Sequence, residues 1–312
     1  MKFAYLIVTH KEPEQFIRLL QTIDSDESLF YIHVDKKVDI EPFKKVEEVI
    51  DPKKIIWLKR KSIIWAGFNM IRATLDGLHE ILNSKEQLSH VTLLSGQDYP
   101  IKPIAAYHDY LIANYGKDYI ETSEMPRKGW QSGGMDRILY HHLIFPKFRI
   151  AYPLLSYLNV KLRYREGGKW DLYKKIVGFL PKQKDFPREF LKNTKPYEGS
   201  QWWTLSILSV KNIVNFLNND PTFYNYFKYT HVADEIFFPT LVKNNNINIE
   251  ENIINNNLRH IDWNSNTGHP RTLDMTDKEV LLNSSAFFAR KFDMDSEILS
   301  WIDKELLKKD SL

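Results

Sequence analysis

The first third of the chain alternates short apolar runs with amphipathic segments. The runs typical of buried strands are FAYLIVTH, SLFYIHVD, KIIWL and HVTLLSGQDYP. Between them, apolar residues recur at helical spacing in EPEQFIRLLQTI, EPFKKVEEVI and NMIRATLDGLHEIL. This order of strands and helices predicts an α/β fold, with a Rossmann-like, mostly parallel sheet and helices on both faces.

Polar residues stand where the predicted strands end. Thr9 and His10 follow the first strand, residues 33–36 the second and residues 95–98 the fourth. Parallel strands end at the same edge of a sheet, and ligands of such sheets bind at that edge. We therefore expect these positions to line a ligand site.

The pattern changes after residue 121. Residues 122–196 have no clear period and mix basic with aromatic side chains, which predicts an irregular insert with short helices. Order then returns, with a strand and helix in GSQWWTLSILSVKNIVNFLNN, a helix in DEIFFPTLV, turns around strands in NNNINIEENIINNNLRHIDW and a final helix in MDSEILSWIDKELLKK. We expect a single domain, 1–312, with three parts: 1–121, 122–196 and 197–312.

Composition narrows the range of functions only slightly. With 43% hydrophobic residues among 312, the chain can bury a large core. The 43 basic and 40 acidic residues give a formal charge of +3, which does not predict nucleic-acid binding. The absence of cysteine excludes disulfides and thiol catalysis. No apolar run is long enough for a membrane span, so the expected location is the cytoplasm.

Common nucleotide-binding motifs are absent. The sequence has no G-x-G-x-x-G and no G-x-x-x-x-G-K-[ST], so neither a dinucleotide fold nor a P-loop is supported. Sugar-nucleotide transferases often bind the diphosphate through a metal held by Asp-x-Asp after a central strand, but here LLSGQDYP offers only Asp98. The pairs Asp24/Asp26 and Asp293/Asp295 lie at helix boundaries, where capping is the better interpretation. A metal is therefore not expected.

Without a metal, cationic side chains must neutralise a departing diphosphate. The candidates are Arg271 in NTGHPRTLDM and Arg290 and Lys291 in SSAFFARKFD. Taken alone, Arg290 and Lys291 are better interpreted as a solvated strand end.

Seven segments, taken in order, resemble those of one enzyme family. They are YIHVDKK, IIWAGFNMIRATLDGL, LLSGQDYPI, GSQWWTLS, ADEIFFPTLV, NNLRHIDW and FFARKFD. From about residue 3 to about residue 295, the chain is similar to the core-2/I-branching β-1,6-N-acetylglucosaminyltransferases and peptide O-xylosyltransferases of glycosyltransferase family 14. This resemblance implies a GT-A-like glycosyltransferase fold and an inverting, metal-independent transfer from a UDP-sugar.

The resemblance also implies roles for residues near the C-terminus. Glu235 matches the catalytic base, and Arg271 and Lys291 match residues that hold the donor diphosphate. Without the resemblance, Asp234 and Glu235 are better interpreted as acids that stabilise a helix N-terminus. Asp234 is expected to be the cap of that helix. Residues 1–121 then form the nucleotide-binding part, and residues 197–312 the acceptor-side and diphosphate-binding part.

The donor pocket is expected to include residues from the first third of the chain. The resemblance implicates Val34 and Asp35 in HVDKK and Trp65 in IIWAG, whereas the residue type alone favours a packing role for Trp65. Asp98 has two open interpretations, an Asx-turn before Pro100 or a contact with the donor sugar.

The acceptor side is expected at GSQWWTLS. Side chains alternate along a strand, so of Trp202 and Trp203 one should be core and the other should face the acceptor as a stacking platform. Xylosyltransferases of the family carry an acidic residue where this chain has Gln201, which argues against peptide acceptors.

The expected partners are a UDP-sugar donor, carrying N-acetylglucosamine or xylose, and a glycan or lipid-linked glycan acceptor, with no cofactor. The missing anchor and cysteines predict a bacterial-type member. Its basic and aromatic insert either contacts an anionic surface at the inner face of the cell membrane or is an ordinary insert with solvated lysines. Two other functions stay open: a catalytically silent glycan- or nucleotide-binding protein, and a metal-dependent sugar-nucleotide enzyme.

Overall fold

The computed structural model describes residues 1–128, 130–152, 188–244, 252–264, 269–294 and 296–309. The central part of the insert expected at 122–196 lies outside the described residues, as does Asp295.

The first third of the chain forms the elements that its pattern predicts. The strands are β1 (Lys2–Thr9), β2 (Ser28–Val34), β3 (Ile55–Trp57) and β4 (Leu88–Ser95). The helices between them are α1 (Pro13–Ile23), α2 (Glu41–Lys44) and α3 (Asn69–Asn83). Helix α2 is shorter than expected because a 3-10 segment, Lys45–Glu48, continues it.

The rest of the described chain adds strands of two to four residues and helices of four to thirteen residues. The strands are β5 (Tyr99–Pro100), β6 (Asp118–Ile120), β7 (Ser123–Glu124), β8 (His141–Ile144), β9 (Arg149–Tyr152), β10 (Tyr197–Glu198), β11 (Trp203–Ser206), β12 (Ile253–Ile254), β13 (Arg259–Ile261) and β14 (Phe288–Arg290). The helices are α4 (Ile104–Ala113), α5 (Asp136–Leu139), α6 (Ile207–Asn219), α7 (Pro221–Phe227), α8 (Phe237–Asn244), α9 (Lys278–Leu282) and α10 (Glu297–Trp301). A π-helical turn, Ile302–Leu306, extends α10.

The central sheet has seven strands in the order β12-β6-β11-β4-β1-β2-β3. Strand β1 pairs in parallel with β2 and β4, and β2 pairs in parallel with β3. Strand β11 runs antiparallel to β4 and β6. The prediction of an α/β fold with a mostly parallel sheet is therefore confirmed.

Helices cover both faces of this sheet, as predicted. Side chains of β1 alternate between two hydrophobic clusters. Helices α3, α6 and α8 pack on the face that holds Leu6, and helices α1, α4 and α10 on the face that holds Tyr5. A Cβ atom at Gly77 of α3 would lie 2.4 Å from a methyl carbon of Leu6, so glycine permits this close contact between helix and sheet.

Across the parts of the chain that the structure describes, no helix combines the length and the apolar character needed to cross a membrane.

Candidate functional site

A cleft of about 1110 Å³ opens at the carboxyl edge of the parallel strands. Thr9 at the end of β1 pairs with Val34 of β2, and Val8 pairs with Ser95 of β4, so the three strands end together. The lining includes residues 8–11 and 95–97 from these ends, together with the loop 63–66 and the segment 198–202. The cleft thus lies at the edge where the strand order predicts a ligand site.

Asp35 lines the cleft but is occupied with its own loop. Its Oδ1 accepts a hydrogen bond from the Lys37 backbone N–H at 2.9 Å, and its Oδ2 accepts one from the Ile63 N–H at 3.2 Å. The carboxylate therefore fixes the chain that leads to Trp65. Val34, by contrast, is fully buried and does not line the cleft.

Trp65 stands at the rim of the cleft with 68% of its surface exposed. Its ring packs edge-on against the rings of His231 and His269, at 6.4 and 5.5 Å between centroids. The next residue, Ala66, has a left-handed φ of 61°, and its carbonyl oxygen accepts a hydrogen bond from the Val232 N–H at 3.1 Å. This bond joins the Trp65 loop to the turn that carries Glu235.

Asp98 lies beneath the cleft and is not exposed. Its carboxylate accepts hydrogen bonds from the Ser95 N–H at 2.9 Å and from Arg290 Nη1 at 3.0 Å. The Asx-turn interpretation is wrong, because the residue that would donate to it is Pro100, which has no N–H. Asp98 therefore does not line the cleft itself, but it holds Arg290, which does.

Strand β14 brings two cations to the cleft, Arg290 and Lys291. The Arg290 guanidinium lies 4.1 Å from the ring centroid of Trp202 and is fixed by Asp98 beneath it. Lys291 differs from its lining neighbours Lys11 and Lys37, which have carboxylate partners at 3.0 and 3.4 Å. Among the described residues, no carboxylate lies within ion-pair distance of the Lys291 ammonium.

Arg271 does not line the cleft, although its neighbours His269 and Pro270 do. Its guanidinium donates to Asp262 Oδ2 at 2.8 Å and to Asp277. These hydrogen bonds raise the pKa of Arg271 above its usual value. Its donors are thus taken by carboxylates of this chain, and its role at a diphosphate stays a prediction.

Trp203 is core, as one of the two tryptophans was expected to be, but Trp202 is also buried, with 7% of its surface exposed and Arg290 against its ring. The expected stacking platform for the acceptor is therefore not formed. Trp203 is fully buried and packs against Phe238 with ring centroids 5.3 Å apart, whereas Trp202 lines the cleft beneath Arg290. Gln201 also lines the cleft, and its Nε2 is buried without a hydrogen-bond partner in the described residues.

Glu235 lies in a single 3-10 turn, Ala233–Glu235, just before α8. Its Oε2 accepts a hydrogen bond from Arg137 Nη1 at 2.9 Å, and 28% of its side chain is exposed, so the cleft can reach it. Burial raises the pKa of Glu235 above its usual value, and Arg137 opposes that rise.

Asp234 also lines the cleft. The turn has Val232 at its N-cap position, so the prediction that Asp234 caps the helix is wrong. Its Oδ1 is buried without a hydrogen-bond partner among the described residues. Burial, with a contribution from Glu235, raises the pKa of Asp234 to about 7.

Several lining residues escape prediction from the sequence. They are Glu121, Arg127, Trp130, Arg137 and Glu198. Glu198 is nearly fully buried and accepts a hydrogen bond from Arg127 Nη1 at 2.6 Å. Burial raises the pKa of Glu121. Arg127, Trp130 and Arg137 fall in the stretch without periodicity. Glu198 directly precedes GSQWW, and a charged residue next to a buried strand is the one signal in the sequence that points to it.

No group of three or more His, Asp or Glu side chains within the described ranges is arranged to hold a metal ion. Metal independence itself stays a prediction.

The model of the core-2/I-branching enzyme family matches residues 3–282, which is most of the chain. This chain belongs to that family. The match covers every strand of the central sheet and both Glu235 and Arg271. It agrees with the α/β, GT-A-like fold class expected from the resemblance.

Curated relatives carry names of two enzyme types. A mouse β-1,3-galactosyl-O-glycosyl-glycoprotein β-1,6-N-acetylglucosaminyltransferase 4 is 27% identical over 77% of this chain and 46% of its own length. A Ciona intestinalis xylosyltransferase is 24% identical over 98% of this chain and 34% of its own length. A Drosophila pseudoobscura pseudoobscura xylosyltransferase, oxt, is 31% identical over 44% of this chain and 16% of its own length. The chain spans less than half the length of these relatives.

Among solved structures, the apo form of mouse xyloside xylosyltransferase 1 aligns with a TM-score of 0.37 and 10% identity. The alignment covers 93% of this chain and 97% of that chain. At this level of similarity, the alignment supports no conclusion about function.

Proposed function

We propose that this chain is a glycosyltransferase that moves a sugar, N-acetylglucosamine or xylose, from a UDP-sugar to a hydroxyl of a glycan acceptor. The family and the names of the relatives support the reaction type and these two sugars. One observation carries the proposal: the Glu235 carboxylate and the Lys291 ammonium line the same cleft at the carboxyl edge of the sheet.

The proposed reaction is a single displacement with inversion. The acceptor oxygen bonds to the anomeric carbon while its proton passes to Glu235. The bond from the anomeric carbon to the diphosphate breaks, and its electron pair leaves on the phosphate oxygen. Because base and leaving group lie on opposite sides of the sugar, the cleft must present a carboxylate at one side and cations at the other.

The cations of the proposed donor side fit the departing diphosphate in two ways. Arg290 is fixed by Asp98 and by the ring of Trp202, so its charge is already in position before substrate binds. Lys291, which has no carboxylate partner among the described residues, can turn its ammonium toward a phosphate. Together they supply positive charge without a metal, and metal independence is part of the proposal.

The decisive experiment replaces the base. In Glu235→Gln the amide keeps the shape and cannot take a proton, so we expect transfer to fall about a thousandfold while UDP affinity stays the same. Transfer is measured with UDP-N-acetylglucosamine and UDP-xylose, and UDP affinity by calorimetry with EDTA present. Glu124→Gln, an exposed carboxylate outside the cleft, is the matched control. Retained turnover in Glu235→Gln would remove Glu235 from this role, and UDP binding that needs a divalent ion would remove the metal-free mechanism.

A peripheral membrane contact is a further part of the proposal, with a lipid-linked glycan as the acceptor. The tip of the β8–β9 hairpin supports it. Phe145 and Phe148 are exposed there and stack at 4.6 Å between ring centroids, and Lys147 and Arg149 are exposed beside them. Exposed aromatic rings with adjacent cations suit the interface of an anionic bilayer.

Flotation with vesicles of anionic or neutral phospholipid tests this contact. We expect the protein to float with anionic vesicles at low salt, and Phe145→Ser/Phe148→Ser to abolish flotation. Leu208→Ser removes an equally exposed apolar side chain elsewhere and should have no effect. If the protein does not float with anionic vesicles, the membrane contact is excluded while the transfer reaction is unaffected.

A further inference from the structure

One indole ring is shared by two ion pairs of the cleft. The Arg137 guanidinium lies 4.2 Å from the ring centroid of Trp130, and the Arg127 guanidinium lies 5.0 Å from it. Arg137 donates to Glu235 at 2.9 Å, and Arg127 donates to Glu198 at 2.6 Å. The ring therefore contacts both cations that hold the carboxylates of the acceptor side.

The chain around Trp130 is built to keep the ring in this position. The Arg127 N–H donates to the Gly133 carbonyl oxygen at 2.9 Å, and the Gly133 N–H donates to the Trp130 carbonyl oxygen at 3.0 Å. Gly134 has a left-handed φ of 79°, and a Cβ atom there would lie 2.9 Å from the ring. Glycine at this position lets the backbone approach the indole.

We infer that Trp130 is a positioning residue, which orients Arg137 and Arg127 and thereby fixes the base Glu235 relative to Glu198. A long arginine side chain has many rotamers, and contact with the face of an indole restricts them. The inference rests on the proposed role of Glu235. It concerns a residue that acts through the two arginines and not one that takes the proton.

The charges around Glu235 determine what loss of the ring would do. Arg137 and Arg127 lower the pKa of Glu235, while burial and Glu198 raise it. The adjacent carboxyl is Asp234, and His231, whose own pKa is lowered to about 3 by burial and by Arg149, His142 and Arg137, stays neutral. Releasing both arginines removes the two favourable charges and leaves Glu198 unpaired, and all three changes raise the pKa of Glu235.

The pH profile of kcat/KM for sugar transfer tests the inference. A base acts in its ionised form, so a higher pKa moves the acidic limb to higher pH. We expect Trp130→Leu to move this limb up by about one pH unit, a loss of about tenfold on the acidic side, with a smaller loss at high pH. Trp130→Phe, which keeps an aromatic face, should restore most of the wild-type profile.

Two further variants check the role of Arg137 and control for the loss of a tryptophan. Arg137→Gln leaves the ring in place and should move the acidic limb in the same direction, which checks that Arg137 controls the pKa of Glu235. If Trp130→Leu folds poorly, the comparison of Trp130→Phe with the wild type still tests the inference, since a limb that stays in place with the aromatic face kept is the expected result and a limb moved by a full pH unit would overturn it. Trp301→Leu removes a cation–π contact outside the cleft, with Lys278 at 5.7 Å, and should leave the limb where it is.

A Trp130→Leu profile lowered by one factor at every pH would overturn the inference, because it would indicate a packing role alone. A Trp130→Phe variant as impaired as Trp130→Leu would also overturn it. These results are distinct from failure of the proposed function, which would appear as turnover by Glu235→Gln.

Discussion

One side of the cleft is formed by the ends of parallel strands and the other by turns. On the sheet side, the lining cations are Lys11 after β1, Lys37 after β2, and Arg290 and Lys291 at the end of β14, which belongs to a separate three-stranded sheet with β13 and β5. Arg290 is fixed over the buried carboxylate of Asp98. On the turn side, carboxylates predominate, and Glu235 and Glu198 are held by arginines from residues 127–137. In the proposed reaction, the first side meets the diphosphate and the second meets the acceptor hydroxyl. The difference indicates that charge is positioned by the core on one side and by the surface chain on the other.

The largest expected effect is a loss of unfolding free energy when the buried carboxylate of the sheet side, Asp98, is replaced. Asp98→Asn leaves the Arg290 and Arg259 guanidinia buried without their carboxylate. Breaking such a pair costs about 3–5 kcal/mol of unfolding free energy, which urea denaturation measures. Asp262→Asn should cost less, because Arg271 is partly exposed and keeps Asp277 as a carboxylate partner. Equal losses would contradict the view that the core anchors the sheet-side charge.

A second prediction compares glycines on the two sides. A Cβ atom at Gly199 would lie 1.8 Å from the backbone oxygen of Glu121, whereas one at Gly96 would meet the side chain of Thr9 at 2.4 Å. Backbone moves less easily than a side chain, so Gly199→Ala should cost about 1–3 kcal/mol and Gly96→Ala less. Thermal and urea unfolding of both variants check the order, and the reverse order would count against a rigid turn side.

A third prediction concerns UDP affinity, which should depend on the sheet side of the cleft and not on the turn side. Lys291→Met removes a cation from the proposed diphosphate site, and we expect UDP affinity to fall about tenfold. Arg127→Met removes a cation from the turn side, and UDP affinity should stay within about twofold of the wild-type value. Calorimetry with EDTA measures both. If Arg127→Met weakened UDP binding as much as Lys291→Met, the two sides would not be separate sites.

The fourth prediction, with the smallest expected effect, concerns how stability depends on pH through Asp234 on the turn side. The pKa of Asp234 is raised to about 7 in the folded protein from an ordinary value of 3.8. Between these values the folded state binds a proton that the unfolded state has released, so this residue makes stability fall as pH rises from about 4 to about 7. Asp234→Asn stays neutral, and its stability relative to the wild type should increase over that range and level off above it. Urea unfolding at several pH values measures the difference, and a constant difference would argue against a buried carboxyl.

Sequence pattern predicts the sheet side well. Strands β1, β2 and β4 are continuous apolar runs, and their parallel order places Thr9, Asp35 and Ser95 at one edge. Arg271 carries a local signal for pairing within the chain, because Asp274 and Asp277 follow it at three and six residues in RTLDMTD. Acids at that spacing favour local pairing, as the structure has it.

The turn side is much harder to predict. Arg137 and Glu235 are 98 residues apart, and Arg127 and Glu198 are 71 apart, so neither pair leaves a periodic trace in the sequence. Only family resemblance singles out Glu235, since two acids before an apolar run also suit a helix start. Trp130 has no distinguishing local pattern, because its partners are chosen by the turn that Gly133 and Gly134 allow.

The hydrogen bond between Ala66 and Val232 holds two distant parts of the chain together at the cleft. It joins the backbone of the loop bearing Trp65 to the turn bearing Glu235. The edge-on contact between the rings of Trp65 and His231 is a second link between the same two segments. In the proposed reaction, a donor that shifted the Trp65 loop would therefore also shift the turn that carries the base, and a probe on the exposed indole would report on both.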